Sequence, residues 1–136
     1  IQDPGNLGTI LRTADALQIP AVLLDGCADP YNPKTVRASM GAVFRTRPIR
    51  MTRQQAIAAC RDAGIPLLAT AMSADAVDLR QAELHSAAVI IGSEGQGICQ
   101  ELFDAAQGKI IIPMSPRCES LNAAVAAAIV LWQMKR

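Results

Sequence analysis

Apolar positions change their spacing along the chain, and the changes mark the elements. Leu7, Ile10, Leu11 and Ala14 fall on one face at helical spacing. Asn6 stands where an N-cap is expected, and Pro20 closes the segment. Ala21 to Leu24 is a short unbroken apolar run, read as a buried strand that the Asp25-Gly26 turn ends. Asn32-Pro33 predicts a second helix, with proline at its first position. Beyond Gly41, Val43 to Ile49 reads as extended. Thr52 with Gln55 is a capping-box pattern for a helix to about Ala63, punctuated by Gly64. Pro66 to Ala71 and Ala87 to Ile91 read as buried strands. A helix is expected over Cys99 to Ala106, a strand over Ile110 to Ile112, and a last helix from about Ser120 to Met134. Short apolar strands alternating with helices predict an α/β fold, a mostly parallel sheet with helices on both faces.

Composition fits that picture. The chain has 136 residues, 51% of them apolar, enough for one domain with a sizeable core. No apolar run reaches the roughly 18 residues of a membrane span, so no membrane partner is expected. The longest, Ala123 to Trp132, reads as a buried helix. No signal peptide opens the chain. It begins at Ile1, directly on a motif, and is read as the catalytic part of a longer protein. Cys27, Cys60, Cys99 and Cys118 lack zinc or redox spacing, and His85 is distant from all four. Reduced cysteines, a cytoplasmic location and no metal are therefore expected.

Net charge is +1, but it is unevenly spread. Lys34, Arg37, Arg45, Arg47, Arg50 and Arg53 lie between Tyr31 and Arg53 with no acidic residue among them. The remainder holds seven basic residues against twelve acidic. The segment is either a polyanion-facing surface or a solvated face with distant counter-charges.

Three turns sit where a strand or chain start meets a helix, the position where open α/β sheets bind ligands. The first is Asp3-Pro4-Gly5-Asn6-Leu7-Gly8, with Arg12 less than two turns further on. Arg12 either borders a crevice or completes a surface. The second is Gly92-Ser93-Glu94-Gly95-Gln96-Gly97, whose glycines admit close backbone approach. It is neither a dinucleotide fingerprint nor a P-loop. Glu94 within it either binds a hydroxyl or amine or caps the next helix. The third is Ile112-Pro113-Met114, followed by Ser120-Leu121-Asn122 at the head of an Ala/Val helix. There, Ser120 as a simple N-cap is the plainer alternative.

In this order, and with Arg37-Ala38-Ser39-Met40-Gly41-Ala42 between the first two, these segments resemble the three motifs of the SpoU family of SPOUT methyltransferases. The resemblance covers nearly the whole chain. It implies an α/β domain with a C-terminal deep trefoil knot, a first strand ahead of Ile1 and, in many members, an N-terminal RNA-binding extension. It implies a homodimer that transfers a methyl group from S-adenosylmethionine to a ribose 2′-hydroxyl of tRNA or rRNA. It assigns donor binding to Thr70, Ala71, Gly92, Glu94, Gly95, Ile112, Met114, Leu121, Asn122 and Ala123. The catalytic set it implies is Arg12, Asn6, Glu94, Ser120 and Asn122. RNA phosphates are expected at Arg37, Arg45 and Arg47.

The chemistry constrains the roles. A guanidinium is a poor base, so Arg12 is expected to bind phosphate and stabilise a developing alkoxide. Two other classes of protein would leave different marks. A non-catalytic RNA-binding module on the same fold would be favoured by loss of Arg12, Glu94 or Asn122, and all three are present. A nucleotide-binding α/β enzyme of another type would carry a dinucleotide, P-loop or nucleophile-elbow pattern, and none is found.

Overall fold

Helix α1 (Pro4–Leu17) begins earlier than the apolar pattern suggests, because Asp3 rather than Asn6 is its N-cap in the computed structural model, which describes residues 1–136. The Asp3 carboxylate accepts the Asn6 N–H at 2.8 Å. Pro4 fills the first helical position, where a missing N–H costs nothing. The consequence is functional: the Asn6 side chain is released from capping. Strand β1 (Val22–Leu24) and helix α2 (Pro33–Ser39, capped by Asn32) follow as expected.

The stretch after Gly41 departs from expectation. Ala42–Thr46 is helical (α3), and only Ile49–Met51 is extended (β2). The helical turn buries Ala42 and Val43 completely, and Val43 joins Leu7, Leu11 and Leu23 in one cluster. Packing here overrides the β-preference of a branched side chain. Helix α4 (Arg53–Ala63) carries the complete Thr52–Gln55 capping box and ends at Gly64 in the left-handed region. There follow β3 (Leu67–Thr70), β4 (Val77–Asp78) with a 3-10 turn over Leu79–Gln81, and β5 (Ala88–Ile90). Then come α5 (Gln100–Ala105), β6 (Gly108–Ile111) and α6 (Ala123–Lys135). Asn122, not Ser120, caps α6.

All strand pairs are parallel, in two groups: β4-β6-β3-β5 and β1-β2. One face of the larger sheet packs Leu68, Val89 and Ile110 against Val130 and Met134 of α6. The other packs Leu67 and Ile90 against Leu102 of α5 and Ile57 of α4. Helices thus cover both faces, as the alternation predicted. No helix is long and apolar enough to cross a membrane. Helices α1 and α2 touch at Gly8, where an added Cβ would lie 2.5 Å from the Thr35 carbonyl and 2.7 Å from the Ala38 Cβ.

β1 and β5 each have a partner on one side only. Between their free edges runs an apolar cleft of about 470 Å³, lined by Leu11, Val22, Leu24, Ala88 and Ile90 among others. Ile1 sits at its mouth. Its carbonyl accepts the Ala28 N–H beyond β1 (2.9 Å), and the Gln2 N–H beside it donates to Glu94 beyond β5 (3.3 Å).

Candidate active site

β6, β3 and β5 are adjacent and parallel, so the loops at their carboxyl ends lie side by side. Those loops carry Thr70-Ala71, Gly92–Gly97 and Ile112–Met114, the segments expected to meet a ligand. The glycine loop is closed by paired main-chain bonds between Ser93 and Gly97, at 3.2 and 3.0 Å. Gly92 makes this closure possible, since a Cβ there would lie 2.7 Å from the Gly97 carbonyl carbon. Gly95, at φ +111, has no atom within 4 Å of the place a Cβ would take. The loop therefore leaves bare, exposed backbone at Gly95 while its base is locked.

Three distant segments meet through side chains. Asn6 Nδ2 donates to Glu94 Oε1 at 2.9 Å, and Asn122 Nδ2 donates to Asn6 Oδ1 at 3.2 Å. Asn122 Oδ1 accepts the N–H groups of Ala124 and Val125, at 2.9 and 3.2 Å, which caps α6. Every amide in the chain Glu94–Asn6–Asn122 has its orientation fixed by its neighbours. Burial pushes the Glu94 carboxyl up, but bonds from Asn6, from its own loop backbone and from the Gln2 N–H outweigh it. The net effect holds Glu94 below its ordinary range, so it is ionised and purely an acceptor at neutral pH.

Other expected residues sit apart from this chain of bonds. Arg12 is exposed, and its guanidinium has no partner. It lies six residues beyond Asn6, about 9 Å along the helix axis. Ser120 is exposed, and its hydroxyl bonds to no protein group, while its carbonyl accepts from Cys118 Sγ at 3.3 Å. The Thr70 hydroxyl donates to the Ile90 carbonyl at 3.0 Å and so fastens β3 to β5. Ala71 bonds by its N–H to Ile110 at 2.9 Å. The half-buried Ile112 and Met114 have no partner within the chain for their amide N–H groups. Leu121 and Ala123 flank Asn122, both half-buried.

The basic segment divides in two. Arg45 bonds Asp15 of α1 at 2.8 Å, Arg50 pairs with Asp29 at 3.4 Å, and Arg53 pairs with Asp25 at 3.2 Å. The Arg53 bond holds the Asp25 carboxyl below its usual range. Lys34, Arg37 and Arg47 have no acidic partner. Two contributors escaped the sequence reading: Asp3, which frees Asn6, and the Gln2 amide, which braces Glu94. The signal for Asp3 was present, since Asp followed by Pro is a cap followed by a first helical residue.

Loops at the carboxyl ends of adjacent parallel strands, tied by a fixed polar chain to α1 and α6, stand where open α/β domains bind ligands. The family model of the SpoU rRNA Methylase family matches residues 1–132, and the chain belongs to that family. It is 37% identical, over 99% of its own length and 55% of the relative's, to the 23S rRNA (guanosine(2553)-2′-O)-methyltransferase RlmP of Bacillus subtilis. An AdoMet-bound rRNA methyltransferase structure from Sinorhizobium meliloti is 39% identical, with a TM-score of 0.90 over 98% of this chain and 52% of that one. The AdoMet complex of the SpoU methyltransferase AviRb from Streptomyces viridochromogenes is 31% identical, with a TM-score of 0.87 over 98% and 56%. The chain thus spans about half the length of these three relatives.

Proposed function

We propose that this domain methylates a ribose 2′-hydroxyl of tRNA or rRNA, with S-adenosylmethionine as donor. The observation that carries the reading is the hydrogen-bonded chain Glu94–Asn6–Asn122 at the mouth of the three-loop crevice. It joins the three motif segments on which the resemblance rests. Relatives named as 2′-O-methyltransferases and AdoMet-bound neighbours support it.

The residues present fit the donor. Gly95 leaves open space where a side chain would intrude, and the free amides of Ile112 and Met114 suit the ring nitrogens of an adenine. Thr70, Ala71, Gly92, Glu94, Gly95, Ile112, Met114, Leu121, Asn122 and Ala123 would hold it. When bound, S-adenosylmethionine supplies an activated methyl group. The protein's part is positioning and charge. Asn6, held by Glu94 and Asn122, orients the acceptor ribose. Arg12 binds phosphate and stabilises the oxygen that loses its proton. Ser120, with its free hydroxyl, holds the nucleotide. The 2′-hydroxyl makes RNA rather than DNA the substrate, and a cytoplasmic location belongs to the same reading.

Three architectural readings accompany this one. The C-terminal segment is knotted as in the SPOUT fold. A strand contributed from ahead of Ile1 fills the cleft between β1 and β5, entering the chain at Ile1, which bonds the loop after β1 while the neighbouring Gln2 bonds the loop after β5. The active form is a homodimer. It is supported by α6, whose outer face exposes Val125, Ile129 and Trp132 at 49%, 38% and 64%, one apolar stripe at helical spacing.

Calorimetry with S-adenosylmethionine, followed by transfer of labelled methyl to tRNA and rRNA transcripts, tests the reaction. Binding with transfer to RNA is expected. RNA binding without donor binding would instead favour a non-catalytic module.

A further inference from the structure

Of the six basic residues between Tyr31 and Arg53, three have no acidic partner, and two of these, Lys34 and Arg37, share one helix. Lys34 and Arg37 are one turn apart on α2, facing the same way. Lys34 reaches the site: its Cε lies 3.8 Å from where a Cβ of Gly5 would stand, on the first turn of α1 beside Asn6. The Asp3 carboxylate lies 3.1 Å from the same point and is engaged with the Asn6 N–H. Asp3 makes no ion pair with Lys34, and the exposed Lys34 ammonium has no partner anywhere in the chain.

Local stability does not explain a lysine here. Lys34 occupies the first turn of α2, next to Pro33, where the helix dipole disfavours a cation. Its backbone is nevertheless held firmly. Asn32 Oδ1 accepts the Lys34 N–H at 2.9 Å, and Gly8 brings α1 into direct contact with Thr35. The stem is thus anchored, while the charged end is free and lies over the turn that presents Asn6.

Building on the function proposed above, we propose that Lys34 is a further substrate-binding residue, which holds a backbone phosphate of the acceptor nucleotide beside Asn6. A compact, mobile ammonium suits a single phosphate oxygen. Arg37, one turn along, extends the same track to a neighbouring phosphate. Arg45, bonded to Asp15, lies outside it.

The test titrates unmodified tRNA and rRNA transcripts with the wild-type, Lys34→Gln and Lys34→Arg proteins over a series of salt concentrations. One lost phosphate contact should reduce the slope of log affinity against log salt by about 0.7–0.9 in Lys34→Gln. The same variant should show a raised KM for RNA with kcat little changed and unaltered S-adenosylmethionine affinity. Lys34→Arg should restore the slope. A wild-type slope and KM in Lys34→Gln would overturn the assignment while leaving the methyltransferase reading intact. A wild-type protein that binds neither donor nor RNA would overturn both.

Discussion

Asn6 has two hydrogen-bonding ends, and the site uses both: its NH2 meets an ionised carboxylate and its oxygen meets Asn122. That fixes the residue without strain and leaves little freedom to reorient. Arg12 is the contrast, an exposed guanidinium with nothing to hold it. A residue that stabilises charge only during the reaction has no need of a partner at rest. Arg12→Ala should therefore leave the melting temperature and donor affinity near wild type while lowering turnover by roughly a hundred- to a thousand-fold. Arg12→Lys should recover little, because a point charge cannot bridge phosphate and ribose as a planar fork can. Stopped assays with labelled donor, alongside calorimetry, separate the two effects. Turnover near wild type in Arg12→Ala would remove Arg12 from the mechanism.

At the scale of elements, the glycine loop makes two different demands on its residues. Gly92→Ala would set a methyl 2.7 Å from the Gly97 backbone, so the Ser93–Gly97 closure must open. It should cost about 1–3 kcal/mol of stability, as overpacking does, and should displace Glu94 and weaken donor binding. Gly95→Val meets no protein atom but fills the crevice at a φ that disfavours side chains, so its chief effect should fall on donor affinity. Thermal melts with calorimetry distinguish the two, and unchanged donor affinity in a folded Gly95→Val protein would move the pocket elsewhere. How far these elements could be read in the sequence depends on where their information lies. The α4 capping box and Gly64 are local signals, and both appear in the structure. The local pattern points to Asn6 as the α1 cap because its side chain suits one, whereas Asp3 caps the helix. Only the long-range bonds to Glu94 and Asn122 distinguish a capping asparagine from a functional one. Local sequence suggests an extended Val43, because its helical burial comes from Leu7 and Leu11 of α1, far away in the chain. The ion pairs of Arg45, Arg50 and Arg53 likewise depend on Asp15, Asp29 and Asp25 being folded back onto the basic segment.

For the whole molecule, the open apolar surfaces include the α6 stripe and the cleft between β1 and β5. If the stripe joins two copies, a subunit carrying Arg12→Ala can be mixed with one carrying Gly95→Val. Recovered activity in the mixture would mean that Arg12 serves its neighbour's crevice, and no recovery would mean that it serves its own. The cleft poses a different question. Both of its edges are parallel strands with unpaired main-chain groups, a costly state for buried backbone. Their carboxyl ends are already linked through Ile1 and Gln2 to Ala28 and Glu94. A strand entering at Ile1 would pair with β1 on one side and β5 on the other, uniting six strands and one more into a single sheet. Each fully buried branched side chain contributes roughly 1.5–3 kcal/mol, against about 1–2 kcal/mol per residue for ordering the backbone, so the balance favours docking when the segment is apolar. Joining a five-residue β-branched segment ahead of Ile1 should therefore raise the melting temperature and slow amide exchange at Val22–Leu24 and Ala88–Ile90. A lysine- and proline-substituted segment of equal length should do neither. Because Glu94 is braced by the Gln2 amide, the apolar extension should also tighten donor binding. Equal melting temperatures and exchange rates for the two extensions would show that the cleft does not accept a strand.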